Sequence, residues 1–185
     1  AQEAQLLLLR RDFDGIMRMA ESDPSGFAAS LVPRLEKAGS GARRVRLSVR
    51  RIRQAYSTCA PASFCALTAF WQRPVDHKAL SQQISYDGTP GHRERHWAET
   101  HGWRVREFRV TWDAARLLID RGLPFTLVTT GPENAHEQVV VGYDEAIRAI
   151  LICDPSSPLV SSYDIDVLTQ DQEIVGPRGL VIVPE

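Results

Sequence analysis

Cysteine is scarce in this chain, and so is any imbalance of charge. Only Cys59, Cys65 and Cys153 are spread over its 185 residues. An odd, sparse set excludes a disulfide framework, leaves at least one thiol free, and tilts the expected setting towards a reducing, cytoplasmic one. The 22 basic and 23 acidic residues leave a net charge of −1, so no global field draws the chain to nucleic acid or to a membrane surface. Long apolar runs are also lacking. The early one, LLLL at 6–9, is far too short to cross a bilayer, so no membrane insertion is expected. A signal-peptide pattern is missing, and the chain opens on Ala1 rather than Met. Residue 1 is therefore expected to be a boundary or a processing site. No segment recurs along the chain at a fixed period.

Two chemical motifs are nearly present and fail on detail. In HRERH, His92 and His96 stand four apart, as metal ligands on one helix face would. A zinc-protease helix needs Glu directly after the first His, however, and Arg93 stands there, with arginines on both sides opposing a cation. The stretch YDGTPGHRER at 86–95 has the glycines of a loop but neither the lysine nor the spacing of a phosphate cradle. It reads as a loop, a candidate border for a cleft. Neither metal nor cofactor is called for.

What is present is 43% hydrophobic and 24% charged, enough for a buried core of good size. Residues 1–20 carry Leu6, Leu9, Phe13, Ile16, Met17 and Ala20 at three- and four-residue spacing and predict one helix. After the break ESDPSG, FAASLVPRLEKAGSG predicts a second, stopped at Gly39. The pair, over 1–41, forms a helical extension in the manner of the end of a tetratricopeptide-like array. RRVRLSVRRIRQ sets Val45, Leu47, Val49 and Ile52 against six arginines, which predicts a strand with one basic side, solvated or paired with acidic neighbours. Helices are predicted after Cys59, from Asp76, across HRERHWAETHG, and across TWDAARLLIDRG between a Thr111 cap and a Gly122 stop. WRVREFRV, PFTLVTT, EQVVVGYD, AILICDP and GLVIV read as strands. Helices first and closely spaced strands after them indicate an α+β fold with an antiparallel sheet. Trp71, Trp97, Trp103 and Trp112 belong either to the core and its rim or to a peptide groove.

The cysteines are not equivalent. Cys65 lies inside an apolar helix and Cys153 inside a strand, where thiols are usually inert small hydrophobes. Cys59 stands at a helix start, where unpaired N–H groups and the positive dipole end favour a thiolate. Pro61 sits where a first helical turn tolerates proline. A nucleophilic thiolate needs a base. Of the five histidines, His77, His92, His96 and His101 lie in polar helical or loop contexts, whereas His136 heads an apolar strand that would steady its ring. The base in turn needs an acceptor on its other nitrogen. Asp154 ends the next strand, and the short turn GYDEAIR can bring the two side by side. Each also has a plainer reading: Asp before Pro starts many turns, and a strand-end histidine need only be hydrogen-bonded. Gln54, ahead of the helix, can share with the Cys59 N–H the stabilisation of an oxyanion.

The order Gln54-x4-Cys59-x-Pro61-Ala62, then His136 heading VVVGYD, then Asp154-Pro155 after ILI resembles the papain-like cysteine peptidases of the bacteriocin-processing, double-glycine leader kind, with their stand-alone bacterial relatives. The resemblance spans roughly 45–183. It implies a papain-like domain over 42–185, with a helical part packed on an antiparallel sheet. It implies Cys59 as nucleophile, His136 as base, Asp154 as orienting acid and Gln54 as oxyanion residue, acting without cofactor on a peptide or protein. An attached helical-repeat region or an export transporter is a further implied partner. The same fold also serves as a non-catalytic peptide-binding module, and the same triad supports peptidyl or acyl transfer. The chain departs from the family pattern in two places. Ala60 follows the cysteine where glycine is usual, and Glu137-Gln138 follow the histidine where apolar residues are common. Strand alternation turns Glu137 away from His136.

Overall fold

A computed structural model of the chain describes residues 2–38, 41–130, 135–158, 160–171 and 177–185. They fall into two compact units, Ala1–Arg44 with Asp144–Arg148, and Val45–Tyr143 with Ala149–Glu185.

The smaller unit holds three helices, α1 (Gln2–Arg10), α2 (Phe13–Ser22) and α3 (Phe27–Lys37). The single helix expected over 1–20 is thus two. Asp12 is the reason: its Oδ1 accepts the Gly15 N–H at 2.8 Å and caps α2, and Arg11 before it turns left-handed at φ 56°. Ala4, Leu8, Ile16, Ala20, Ala28 and Leu31 face inward; of the positions that marked the first stretch, Ile16 and Ala20 are buried, whereas Leu6 and Leu9 are exposed and α1 turns Ala4 and Leu8 inward instead. Asp144 is buried in the same unit and is neutralised by Arg11 at 3.0 Å and Arg44 at 3.7 Å. The Gly39 stop lies outside the described residues; α3 ends at Lys37.

The larger unit is built on a sheet. Its strands are β1 (Arg44–Arg46), β2 (Trp103–Arg109), β3 (Phe125–Thr130), β4 (Ala135–Asp144), β5 (Ala149–Cys153), β6 (Val160–Asp164) and β7 (Arg178–Pro184). Their order is β2-β7-β3-β4-β5-β6, with β1 on β4. The β2–β7, β3–β7, β3–β4 and β5–β6 pairs are antiparallel. Helices α4 (Cys59–Phe70), α5 (His77–Ile84), α6 (Gly91–Thr100), α7 (Trp112–Asp120) and α8 (Ile165–Asp171) complete it.

Both faces of the sheet are covered. Phe64, Leu67, Leu80, Ile84 and Trp97 from α4–α6 pack with Val139, Val141, Leu151 and Ile182. Ala115, Ile119 and Ile165 from α7 and α8 pack with Val140, Ile150, Ile152 and Leu127. Adjacent β5 residues therefore go to opposite cores, which is why AILIC is apolar throughout rather than alternating. Trp97 and Trp103 are buried and Trp71 packs at the rim of the first core; Trp112 packs on the second. Gly142 is where β1 lies against β4: a Cβ there would sit 2.2 Å from the Val45 carbonyl oxygen, so only glycine fits.

The basic strand expected over 43–54 shrinks to three residues. Beyond it Leu47 still donates to the Val141 carbonyl at 2.7 Å, and Val49 and Ile52 pack on the first core. The alternation recorded burial, not a ladder. β6 and α8 were not anticipated; VSSYD has no apolar face of its own and takes its place by pairing with β5. Among the described residues no helix is long and apolar enough to cross a membrane.

Candidate active site

The helix α4 begins without a side-chain cap. The Thr58 hydroxyl is turned away, accepting from the Ala55 N–H at 2.9 Å, and makes no bond to the helix. No side chain therefore caps the Cys59 N–H, while the Ala60 N–H turns to the Cys59 sulfur and the Ala62 N–H to the Thr58 carbonyl at 3.1 Å. Ser57, left-handed at φ 52°, makes the turn that delivers the chain to this helix start. Cys59 is half-buried there, whereas Cys65 and Cys153 are buried.

His136 enters β4 opposite Thr129 of β3. Its Nε2 lies 3.0 Å from Asp154 Oδ1. The Cys59 thiol interacts with the same imidazole, and with Nε2 turned to Asp154 the ring nitrogen left for it is Nδ1. Three of the four residues picked from the sequence thus meet in one line, sulfur to imidazole to carboxylate. The helix start supplies the first, the head of β4 the second and the turn after β5 the third.

The electrostatics follow from these contacts. Burial alone pushes the Cys59 thiol up, but the His136 hydrogen bond, the Glu137 backbone N–H, the His136 charge and the Ala60 backbone N–H together bring it below its ordinary value. The same bond to Cys59, opposed by burial and aided by Asp154, raises His136 from 6.5 to about 8. A lowered thiol beside a raised imidazole favours passing the sulfur's proton to the ring. Asp154 is raised by burial, yet its bonds from Ser156 and His136 hold it below the usual carboxylate range. Burial pushes Cys65 up to about 12, and it raises Cys153 as well.

Gln54 is placed beside this line through its main chain. Its N–H donates to the Pro155 carbonyl at 3.2 Å, and Arg51 Nη1 reaches the same oxygen at 3.3 Å. The loop before α4 is thereby stitched to the turn that carries Asp154. The Gln54 side-chain Oε1 is buried and without a hydrogen-bond partner among the described residues.

Glu137 plays a part that the sequence did not disclose. Its backbone N–H serves the Cys59 sulfur, and its carbonyl accepts from Ser63 Oγ at 3.1 Å. Its side chain points away from His136, as alternation requires, into a buried pair with Glu94. Burial drives the Glu137 carboxyl well up and raises Glu94 too. Glu94 adds its own charge against ionisation of Glu137, and Glu94 Oε1 and Glu137 Oε1 find no hydrogen-bond partner among the described residues. Arg178 offsets the remaining charge, 3.2 Å from Glu94 and 3.7 Å from Glu137, and also binds Glu107 at 3.1 Å.

An α+β chain with a helix-start thiol facing a sheet-borne histidine has the papain-like architecture, and the comparisons agree. The model of the Peptidase_C39 like family matches residues 46–174. The chain belongs to that family. Among solved structures, the peptidase domain of Streptococcus ComA, a bifunctional ABC transporter of a quorum-sensing pathway, is similar at a TM-score of 0.58 and 19% identity, over 74% of this chain and 99% of that one. A double glycine motif protease from an AMS/PCAT transporter, solved with its leader peptide, gives 0.57 and 18%, over 76% and 95%. A putative C39-like peptidase from Bacillus anthracis gives 0.54 and 14%, over 77% and 98%. These likenesses establish the fold. No curated protein matches the chain in sequence.

Proposed function

We propose that this chain is a cysteine peptidase working through Cys59, His136, Asp154 and Gln54. The reading is carried by one observation: His136 Nε2 lies 3.0 Å from Asp154 Oδ1 while the same ring interacts with the Cys59 thiol. The Cys59 thiolate attacks the carbonyl carbon of a peptide bond, and the C=O pair moves onto oxygen. The Cys59 N–H and the Gln54 amide meet that oxyanion; a half-turn of the Gln54 amide exchanges its unpaired Oε1 for an NH2 donor. The His136 imidazolium gives its proton to the leaving amine as the C–N bond breaks, leaving a thioester on Cys59. His136, now neutral, takes a proton from water as that water attacks the thioester, and the acid product leaves with the thiolate restored. Asp154 keeps Nε2 protonated and directs Nδ1 at the sulfur.

The substrate class is a peptide or a protein segment. The test is iodoacetamide labelling read by mass spectrometry, beside cleavage of a mixed-sequence peptide library. Cys59 is expected to react far faster than Cys65, and Cys59→Ala to abolish cleavage. Equal labelling of the two thiols, or cleavage that survives Cys59→Ala, would overturn the reading.

A further inference from the structure

The Asp154 carboxylate is held more closely than a triad alone requires. Its Oδ1 receives three donors: His136 Nε2 at 3.0 Å, the Ser156 N–H at 2.7 Å and Ser156 Oγ at 2.6 Å. Charge-assisted bonds this short fix direction as well as distance. The turn that carries them is anchored at Pro155, whose carbonyl accepts from Gln54 and Arg51. Ser156 itself is exposed, so burial gives it no packing role. Its bonds are also the largest counterweight to the burial that would neutralise Asp154.

We infer that Ser156 is a positioning residue for the Cys59–His136–Asp154 site, its hydroxyl and amide holding Asp154 Oδ1 turned towards His136 Nε2. This rests on the peptidase reading above. A loosened Asp154 no longer favours the imidazolium, so the pair at Cys59 forms over a narrower pH range.

The experiment is the pH profile of Cys59 alkylation by iodoacetate, whose carboxylate is drawn by the imidazolium, in the full chain, run on wild type, Ser156→Ala, Ser156→Thr, Asp154→Ala and the Asp154→Ala/Ser156→Ala double variant. Ser156→Ala should slow alkylation at pH 8.5 about twofold, less than the loss of Asp154 itself because the Ser156 N–H still holds Oδ1, and move the upper limb to lower pH. Ser156→Thr, which keeps the hydroxyl, should restore the wild-type profile. In the Asp154→Ala background the serine change should add nothing, because its partner is gone. A Ser156→Ala profile that overlays wild type would overturn the inference, as would the same loss in both backgrounds. The Thr and double variants carry the test should the alanine variant fold poorly. The peptidase reading fails separately: in that case wild-type Cys59 reacts no faster than Cys65, whatever stands at 156.

Discussion

Asp154→Ala gives the sharpest quantitative test of the electrostatics. His136 lies about 1.5 units above its ordinary value of 6.5, at about 8, which at 1.36 kcal/mol per unit is about 2 kcal/mol favouring the charged ring. The largest cause is the bond to Cys59; Asp154 adds its own hydrogen bond and charge. The His136 side chain is 31% exposed, so solvent screens part of this. The carboxylate's share reduces to about 1 kcal/mol, or about fivefold. The sign follows. A raised imidazole is charged below its folded value and neutral above it, so the ring's charge is present at pH 7 and lost through pH 8. Without Asp154 that upper edge falls towards 6.5. Alkylation of Cys59 by iodoacetate, whose carboxylate is drawn by the charged ring, should therefore slow about twofold at pH 7.5 and about fourfold at pH 8.5 and hardly change at pH 5.5, with Cys65 as internal reference. A variant whose profile keeps its upper edge near 8 would refute the assignment of Asp154 as the partner that sustains the imidazolium.

Gln54→Ala should lower kcat for peptide cleavage by roughly 10²-fold, the usual loss for one oxyanion donor, and leave the rate of Cys59 alkylation unchanged, since alkylation builds no oxyanion; an equal loss in both assays would assign Gln54 to the nucleophile instead. The Glu94–Glu137 pair should make the fold less stable as pH rises. Burial raises both carboxyls, so the folded state keeps a proton that the unfolded chain releases above about 4.5, and stability declines from there until the folded pair ionises. Melting temperatures from pH 5 to 8 should fall, and Glu137→Gln should flatten that slope; a slope identical in the two proteins would mean that the pair does not hold its proton.

Much of the site was legible because its chemistry is tied to element ends. A thiol at a helix start, an imidazole at a strand head and a carboxylate after the next strand can be read from apolar periodicity and from the turn between β4 and β5. The strands β2 to β5 and β7 declared themselves by apolar or β-branched runs. What stayed hidden depended on partners far away in sequence. β6 is polar and exists through its ladder with β5. The run of arginines looked like a strand because its apolar residues are buried, although only Arg44–Arg46 pair. Glu137 looked out of place in an apolar strand because Glu94 and Arg178, which make its burial tolerable, come from α6 and β7. Ser156 is one polar turn residue among several, and only the 2.6 Å contact singles it out.

That three-residue arrangement also constrains how the chain can change. Replacing Glu137 alone by an aliphatic side chain would leave Glu94 and Arg178 to rebalance their charges inside the core, a costly step. Exchanging all three together for well-packed apolar residues removes the charges at once and need cost nothing. Substitutions at 94, 137 and 178 are thus expected to travel as a set. A β4 segment grafted from a relative with a hydrophobic residue after its histidine will need matching changes on α6 and β7 before the grafted histidine sits correctly against the sulfur.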